Sequence, residues 1–420
     1  MTAATACCMP VARPRQSWRP VGARSCLVFM ALAASCHGTA GDVSTDARGD
    51  APEAAGLDQS GSADTDQAIP PPDRVLHFEV GSLQTAATTG LSPPATFALP
   101  PGARATFVTL MGPPGVYLAL SRWQSGGGPL LIVPGWVSGT HAPLLCTQGC
   151  AFRQSPRPEQ QVSLAPNAPL PVQLAGTHEI VVQAFSWTGK DPAKPVAAKV
   201  AVAVDAVYGD PLPSGRLAVN LCLTGAGGLT AALAPKHERI AQAVATLRET
   251  FAAIAVDVTV TYMDVPGAHF VVHDASDLQV AELFRTAKGA PSGINVFLIQ
   301  ELSFEDGAKS LPMMGLSGGV PGPLGPAGGA QAGVVVALKL EVGQPDRLGV
   351  AIAHEIGHFL GLYHASDAAA ADGTQLHDQL TDTPESDAAN LMHWSPQPHS
   401  TKLSAQQAAV IKQSPWVAPP

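Results

Sequence analysis

Aromatic residues are scarce in this chain, 5% of 420, and tyrosine occurs only four times. Glycine and proline are not scarce. Their 41 and 39 residues favour strands, turns and long connections over helical bundles. Past the first 36 residues there is no run of 18 apolar residues, so no segment there reads as a bilayer-spanning helix. Positive charge is also limited, with 24 Lys and Arg against 33 Asp and Glu. Four of those arginines (Arg13, Arg15, Arg19 and Arg24) lie in the first 36 residues, which contain no acid, so the remainder is more acidic still. Such a polypeptide is poorly suited to nucleic acid as a partner.

The same four arginines precede a short apolar core, Leu27 to Ala34, which is the pattern of an export leader and too short for a stop-transfer helix. The core ends Leu32-Ala33-Ala34-Ser35-Cys36. This resembles a bacterial lipobox with Cys36 as the lipidated residue, although the leucine stands one position further upstream than in that pattern. The alternative is an ordinary signal peptide cut at a small-residue site. Both readings predict an extracytoplasmic protein, either secreted or anchored to a bacterial outer membrane through Cys36. Residues 1–36 are therefore read as a signal peptide. Residues 37–73, rich in Ala, Gly, Ser, Asp and Gln, are read as a disordered tether.

From 74 to 208 short β-type runs alternate with Pro and Gly: Val75–Val80, Val116–Trp123, Leu130–Val133, Ile180–Trp187 and Ala197–Val207. They predict an all-β, sandwich-like domain. His178-Glu179 lies in such a run without a partner histidine and is read as structural. Cys146 and Cys150 bracket Thr-Gln-Gly and suggest a local disulfide in an oxidising compartment. Cys222, left over, is expected to be buried in a strand from Leu217 to Leu223.

One stretch carries chemistry. His354 to His364 reads HEIGHFLGLYH, with His354, Glu355, His358, Gly361 and His364 in the spacing H-E-x-x-H-x-x-G-x-x-H. Two histidines four apart on a helix are separated by about 6 Å and about 400°, so both imidazoles leave one face. That suits two ligands of a tetrahedral zinc, with Glu355 beside a water on the metal. On a continuing helix His364 would lie about 15 Å along the axis from His354. Gly361 removes the difficulty, because glycine accepts the left-handed conformation that ends a helix and turns the chain. Leu348, Ile352, Ile356, Phe359 and Leu360 supply an apolar stripe, and Asp346 after Pro345 is a suitable cap. Burying three histidines and a glutamate in so apolar a segment would be costly without a metal.

This segment resembles the extended zinc signature of the metzincin metalloproteases. Asn390-Leu391-Met392 stands where that clan has its methionine turn, and D-x-x-x-D-T-P, Asp378 to Pro384, is similar to the pappalysin family. The resemblance implies an α+β catalytic domain over 209–420, with a mixed sheet, a backing helix, a zinc helix and a small C-terminal subdomain. It implies a zinc-dependent endopeptidase in which His354, His358 and His364 hold zinc, Glu355 is the general base and Met392 is an apolar floor. Protein or peptide would be the substrate. It also makes Asp378, Asp382 and Thr383 candidate calcium ligands, with a turn held by the same side chains as the alternative. Trp394 stands where some metzincins place a tyrosine that assists the transition state, so that aid is absent.

In this region Leu217–Leu223, Val256–Met263, Ile294–Leu302 and Gly333–Leu340 are predicted strands, and Pro235 to Ala253 a helix. Gly315 to Gly329 is read as a loop over the cleft. By resemblance, Gly333 to Val336 is the edge strand along which an extended peptide lies. His377, His393 and His399 are read as surface or supporting residues. Cys146 or Cys150 as an occupant of the zinc before activation is the alternative to their disulfide. Two other classes of function stay open: a non-catalytic surface lipoprotein binding a partner through its β-sandwich, and a zinc hydrolase of non-peptide substrates. Loss of Glu355 or a ligand would mark the first, and none is lost.

Overall fold

The computed structural model describes residues 75–420 apart from 126–129, 133–155, 167–173, 188–192, 210–211, 266–270, 273–276, 307–308, 326–327, 340–346, 368–376 and 385. The leader with Cys36, the tether, Cys146, Cys150 and Pro345-Asp346 lie outside the described residues.

Residues 75–207 form two antiparallel sheets. One has the order β1 (Val75–Gln84), β10 (Lys199–Val207), β3 (Ala105–Met111), β7 (Gln160–Ala165). The other runs β2 (Ala95–Leu99), β8 (Gly176–Ser186), β4 (Tyr117–Ser125), β5 (Leu130–Ile132), with β6 (Arg157–Pro158) on β4 and β9 (Lys194–Pro195) on β8. The two-residue period of a strand explains how they pack. On β10, Val200, Val202 and Val204 project from one face and meet Val108, Leu118, Leu120, Trp123, Ile180 and Val182 in a core shared by both sheets.

The opposite face of the first sheet is also buried. Ala105 and Phe107 of β3, Val162 and Leu164 of β7 and Val207 of β10 belong to the core of the second half of the chain. Strand β3 is covered on both faces, with Val108 and Leu110 on the side opposite Ala105 and Phe107. The all-β part and the α+β part thus meet in a shared apolar cluster, beside the core that the two sheets of the all-β part enclose.

That second half is built on a mixed sheet of order β12 (Val256–Asp264), β11 (Gly215–Leu223), β14 (Ile294–Ile299), β18 (Val334–Ala337), β17 (Gly315–Ser317), with β19 (Val417–Ala418) also on β11. All neighbours along it are parallel except β17, which is antiparallel to β18. Three further short strands, β13 (Val271–Val272), β15 (Glu301–Asp306) and β16 (Lys309–Pro312), form a separate ribbon, so the run predicted from Ile294 to Leu302 breaks at Gln300. Helix α1 (Glu238–Ala252) packs its Ile240, Val244, Leu247 and Phe251 against the sheet and against α3 (Arg347–Phe359). Two shorter helices are α2 (Asp277–Arg285) and α4 (Ala405–Gln413). Cys222 is fully buried, and burial pushes its thiol up to about 12, so it stays protonated and inert.

Two expectations are corrected. Gly315 to Gly329 is not a loop standing off the surface: it begins with strand β17, and every residue from Gly315 to Pro323 is buried. Glycine makes this possible, since a Cβ on Gly322 would fall 2.2 Å from the Phe359 ring, and the Gly322 amide donates to the Phe359 carbonyl at 2.8 Å. Consequently Val334–Ala337 is an interior strand, and β17 is the edge beyond it.

His178 is structural. Trp123 Nε1 donates to its Nδ1 at 3.1 Å, and its Nε2 donates to the Leu174 carbonyl at 2.6 Å, which fixes one neutral tautomer. Burial lowers its pKa below 6.5, against the opposing pull of the Leu174 carbonyl. A depressed histidine binds its proton better in the unfolded chain. Its contribution is therefore complete above 6.5 and is lost as pH falls below that value. Denaturant midpoints measured from pH 7.5 to 5 should decline for the parent and be flatter for His178→Gln; equal slopes would contradict this. Because the core is shared, Leu164→Ala should cost about 2–5 kcal/mol. Fluorescence and hydrogen exchange should report one coincident unfolding transition for both halves, whereas two separated transitions would refute the shared core.

Candidate metal centre

Helix α3 ends as its glycine dictates. The Gly361 amide donates to the His358 carbonyl and the Leu362 amide to the Gly357 carbonyl, both at 2.9 Å, which is the Schellman pattern. Gly361 has φ +108°, a conformation that side chains with a Cβ resist. The chain then reverses and delivers His364 to the histidines of the helix.

Each imidazole is anchored through Nδ1. His354 Nδ1 donates to the Leu391 carbonyl at 2.7 Å, His358 Nδ1 to the Leu362 carbonyl at 2.7 Å, and His364 Nδ1 to Asp367 Oδ1 at 2.6 Å. With its proton on Nδ1, a neutral imidazole presents a bare lone pair at Nε2. Those lone pairs converge. His364 Nε2 lies 3.2 Å from His354 Nε2 and 3.1 Å from His358 Nε2. Three lone pairs so close repel unless a cation sits among them. Zinc–nitrogen bonds of about 2.0–2.1 Å in a tetrahedron put the nitrogens about 3.3–3.4 Å apart. The donor set therefore fits zinc, and it is the one histidine and carboxylate cluster with metal-ligand spacing among the described residues. Burial, and then repulsion from His364, lowers the His354 pKa to about 3, so this ligand is neutral throughout the physiological range.

The Glu355 side chain packs against the sheet edge at β17. A Cβ on Gly315 would lie 2.6 Å from Glu355 Cγ and 3.0 Å from its Oε1, so only glycine leaves room for the carboxylate. The Ser317 amide donates to that carboxylate. Burial pushes the Glu355 pKa up to about 8, opposed by the positive charge of Arg157 and by the Ser317 amide. A cation held by the three histidines would act in the same direction as Arg157.

The methionine turn lies beneath. Met392 is fully buried, and a Cβ on Gly357 would come within 2.7 Å of its sulfur. The turn is tied to the histidines twice, through the Leu391 carbonyl under His354 and through the Met392 carbonyl, which accepts from the Ala365 amide at 3.0 Å. Buried Asn390 and Gln407 of α4 exchange two amide hydrogen bonds of 3.1 Å behind it. This C-terminal helix, absent from the sequence expectations, is fixed by a capping box between Ser404 and Gln407.

The three candidate calcium ligands do not converge on a common point. Thr383 Oγ1 donates to Asp378 Oδ1 at 2.7 Å, while Asp382 receives Ser404 Oγ at 2.7 Å and the Gln406 amide at 3.0 Å, at the start of α4. These are the contacts of a turn that holds a helix. His377 meets Ser366 at 2.8 Å, and His393 Nδ1 accepts from the Ser395 amide at 3.2 Å; neither joins the histidine cluster. Asp367, Gly315, Gly357, Ser317 and Arg157 were not foreseen as site residues. Gly357, inside the motif, and Asp367, three residues past the last ligand, lay close enough in sequence to be noticed.

Residues 341–404 match the model of the peptidase family described as Pregnancy-associated plasma protein-A, a segment well short of half the chain. No curated protein matches. Among solved structures, the chain is similar to archaemetzincin from Methanopyrus kandleri at 15% identity and TM-score 0.28, over 48% of this chain and 88% of that one. It is similar to metalloproteinase-II from Bacteroides fragilis at 15% identity and TM-score 0.30, over 50% and 62%. Similarity at that level bears on neither the fold nor the chemistry. The family match coincides with the converging histidines, and on those two findings the chain is a metzincin-like zinc metalloendopeptidase whose segment 341–404 is similar to the pappalysins.

Proposed function

We propose that this endopeptidase hydrolyses extended polypeptides outside the cytoplasm, with Glu355 as general base. The observation that carries the reading is the convergence of three Nε2 lone pairs beside a buried carboxylate, 7% exposed, held by the Ser317 amide. His354, His358 and His364 would hold zinc. Zinc, when bound, supplies Lewis-acid polarisation of the scissile carbonyl and makes a water nucleophilic near neutral pH.

Glu355 accepts the proton of the attacking water at its carboxylate and later gives it to the leaving amine nitrogen as the carbon–nitrogen bond breaks. Asp367, Leu362 and Leu391 keep the three imidazoles in the Nδ1–H tautomer and aimed at one point. Strand β17 is the sheet edge against Glu355, alongside which an extended peptide would lie, with the Ser317 amide and carbonyl already engaged by Glu355 and Arg157. The all-β region over 74–208 is read as a sandwich-like domain ahead of the catalytic one. The export-type leader, with Cys36 at its end, supports placement outside the cytoplasm. No helix among the described residues is long and apolar enough to cross a membrane.

Glu355→Gln should keep its zinc and cleave a peptide library roughly 10²–10⁴-fold more slowly than the parent. Full cleavage by that variant would remove Glu355 from the chemistry. Asp367→Ala should weaken zinc affinity about 10–100-fold in competition with a chelator, because the His364 ring loses its anchor. Unchanged affinity would show that Asp367 has no such role.

A further inference from the structure

One cation at the active site comes from outside the α+β part. Arg157 stands on β6, opposite Leu118 of β4 in the all-β part, and is 7% exposed. Its Nη2 donates to the Ser317 carbonyl at 3.3 Å. Ser317 is the residue whose amide holds Glu355, so one peptide unit on either side of Ser317 links the guanidinium to the carboxylate. The arm that carries Arg157 is fastened along its length. The Pro158 carbonyl accepts from Gln331 Nε2 at 3.1 Å, and Glu159 is paired with Arg285 of α2. This arm therefore meets β17, Gln331 and α2 at consecutive residues.

Anchoring alone does not call for a guanidinium. A neutral amide would satisfy the Ser317 carbonyl, and burying a full charge costs more than burying a polar group. What arginine adds is positive charge close to the Glu355 carboxylate, in surroundings of low polarity where charge acts strongly. We propose that Arg157 is a positioning residue of the catalytic site: it fixes Ser317 and, through the Ser317 amide, the carboxylate of Glu355. The all-β part then completes the active site. This rests on Glu355 being the general base.

The test compares full-length Arg157→Lys, Arg157→Gln and Arg157→Ala with the parent. It measures kcat and KM on a peptide substrate, zinc content, thermal midpoint, and hydrogen exchange of the Met314–Gly319 segment with and without zinc. Arg157→Ala is expected to lower kcat about 10–100-fold, the scale of a misplaced catalytic group, with KM and zinc content close to parental. Arg157→Lys should recover more of kcat than Arg157→Gln, and Ser317 amide exchange should accelerate in Arg157→Ala even without zinc. Equal kcat for the Lys and Gln variants, or exchange at parental rates, would overturn the proposal. Should Arg157→Ala fail to fold, the Lys and Gln pair decides the matter. A parent that cleaves no peptide, with the exchange result intact, would instead overturn the peptidase reading and leave the hold on Ser317 standing.

Discussion

The Nε2 atom of His364 lies 3.2 Å from that of His354 and 3.1 Å from that of His358, and with each Nδ1 carrying the proton such a convergence is tolerable only around a cation. Much of the surrounding structure serves to keep them there. The anchors come from three separate places: the reversal after α3 at Leu362, the methionine turn at Leu391, and Asp367 beyond the last ligand. Each accepts an Nδ1 proton, and each thereby fixes a tautomer as well as a direction. The buried pair of Asn390 and Gln407 then ties the methionine turn to α4, so a helix at the far end of the chain contributes to the geometry of the metal site.

Glycine has two distinct uses at this centre. At Gly361 it supplies a backbone conformation, without which His364 would be carried away from the other ligands. At Gly315 and Gly357 it supplies space, for the Glu355 carboxylate on one side of the helix and the Met392 sulfur on the other. A composition rich in glycine is ordinarily a sign of loops. Here a Cβ on Gly315, Gly318, Gly319 or Gly322 would fall within 3.0 Å of a neighbouring atom, which is why the stretch from Gly315 to Pro323 is buried and not exposed.

The sharing of an apolar core changes how the two halves of the chain are understood. Phe107, Val162 and Leu164 pack with the sheet and helices that hold the metal site, and Arg157 reaches the edge strand beside Glu355. A single catalytic unit that includes the all-β part accounts for these contacts. It also accounts for strand β3 being buried on both faces.

The identity and spacing of His354, Glu355, His358, Gly361 and His364 were sufficient to predict that the three histidines converge, because helix geometry and one glycine turn are local and leave few alternatives. The same holds for α1, whose apolar period is regular, and for most single strands with one buried face. What could not be read locally is whatever joins distant segments. Arg157 and Ser317 are 160 positions apart, and nothing in the residues around either announces the other. The edge of the sheet depends on which strand is added last, a matter of pairing order, so β17 and not Val334–Ala337 holds that place. Short local contacts write themselves into sequence patterns. Pairings across the fold are settled only when the chain closes on itself.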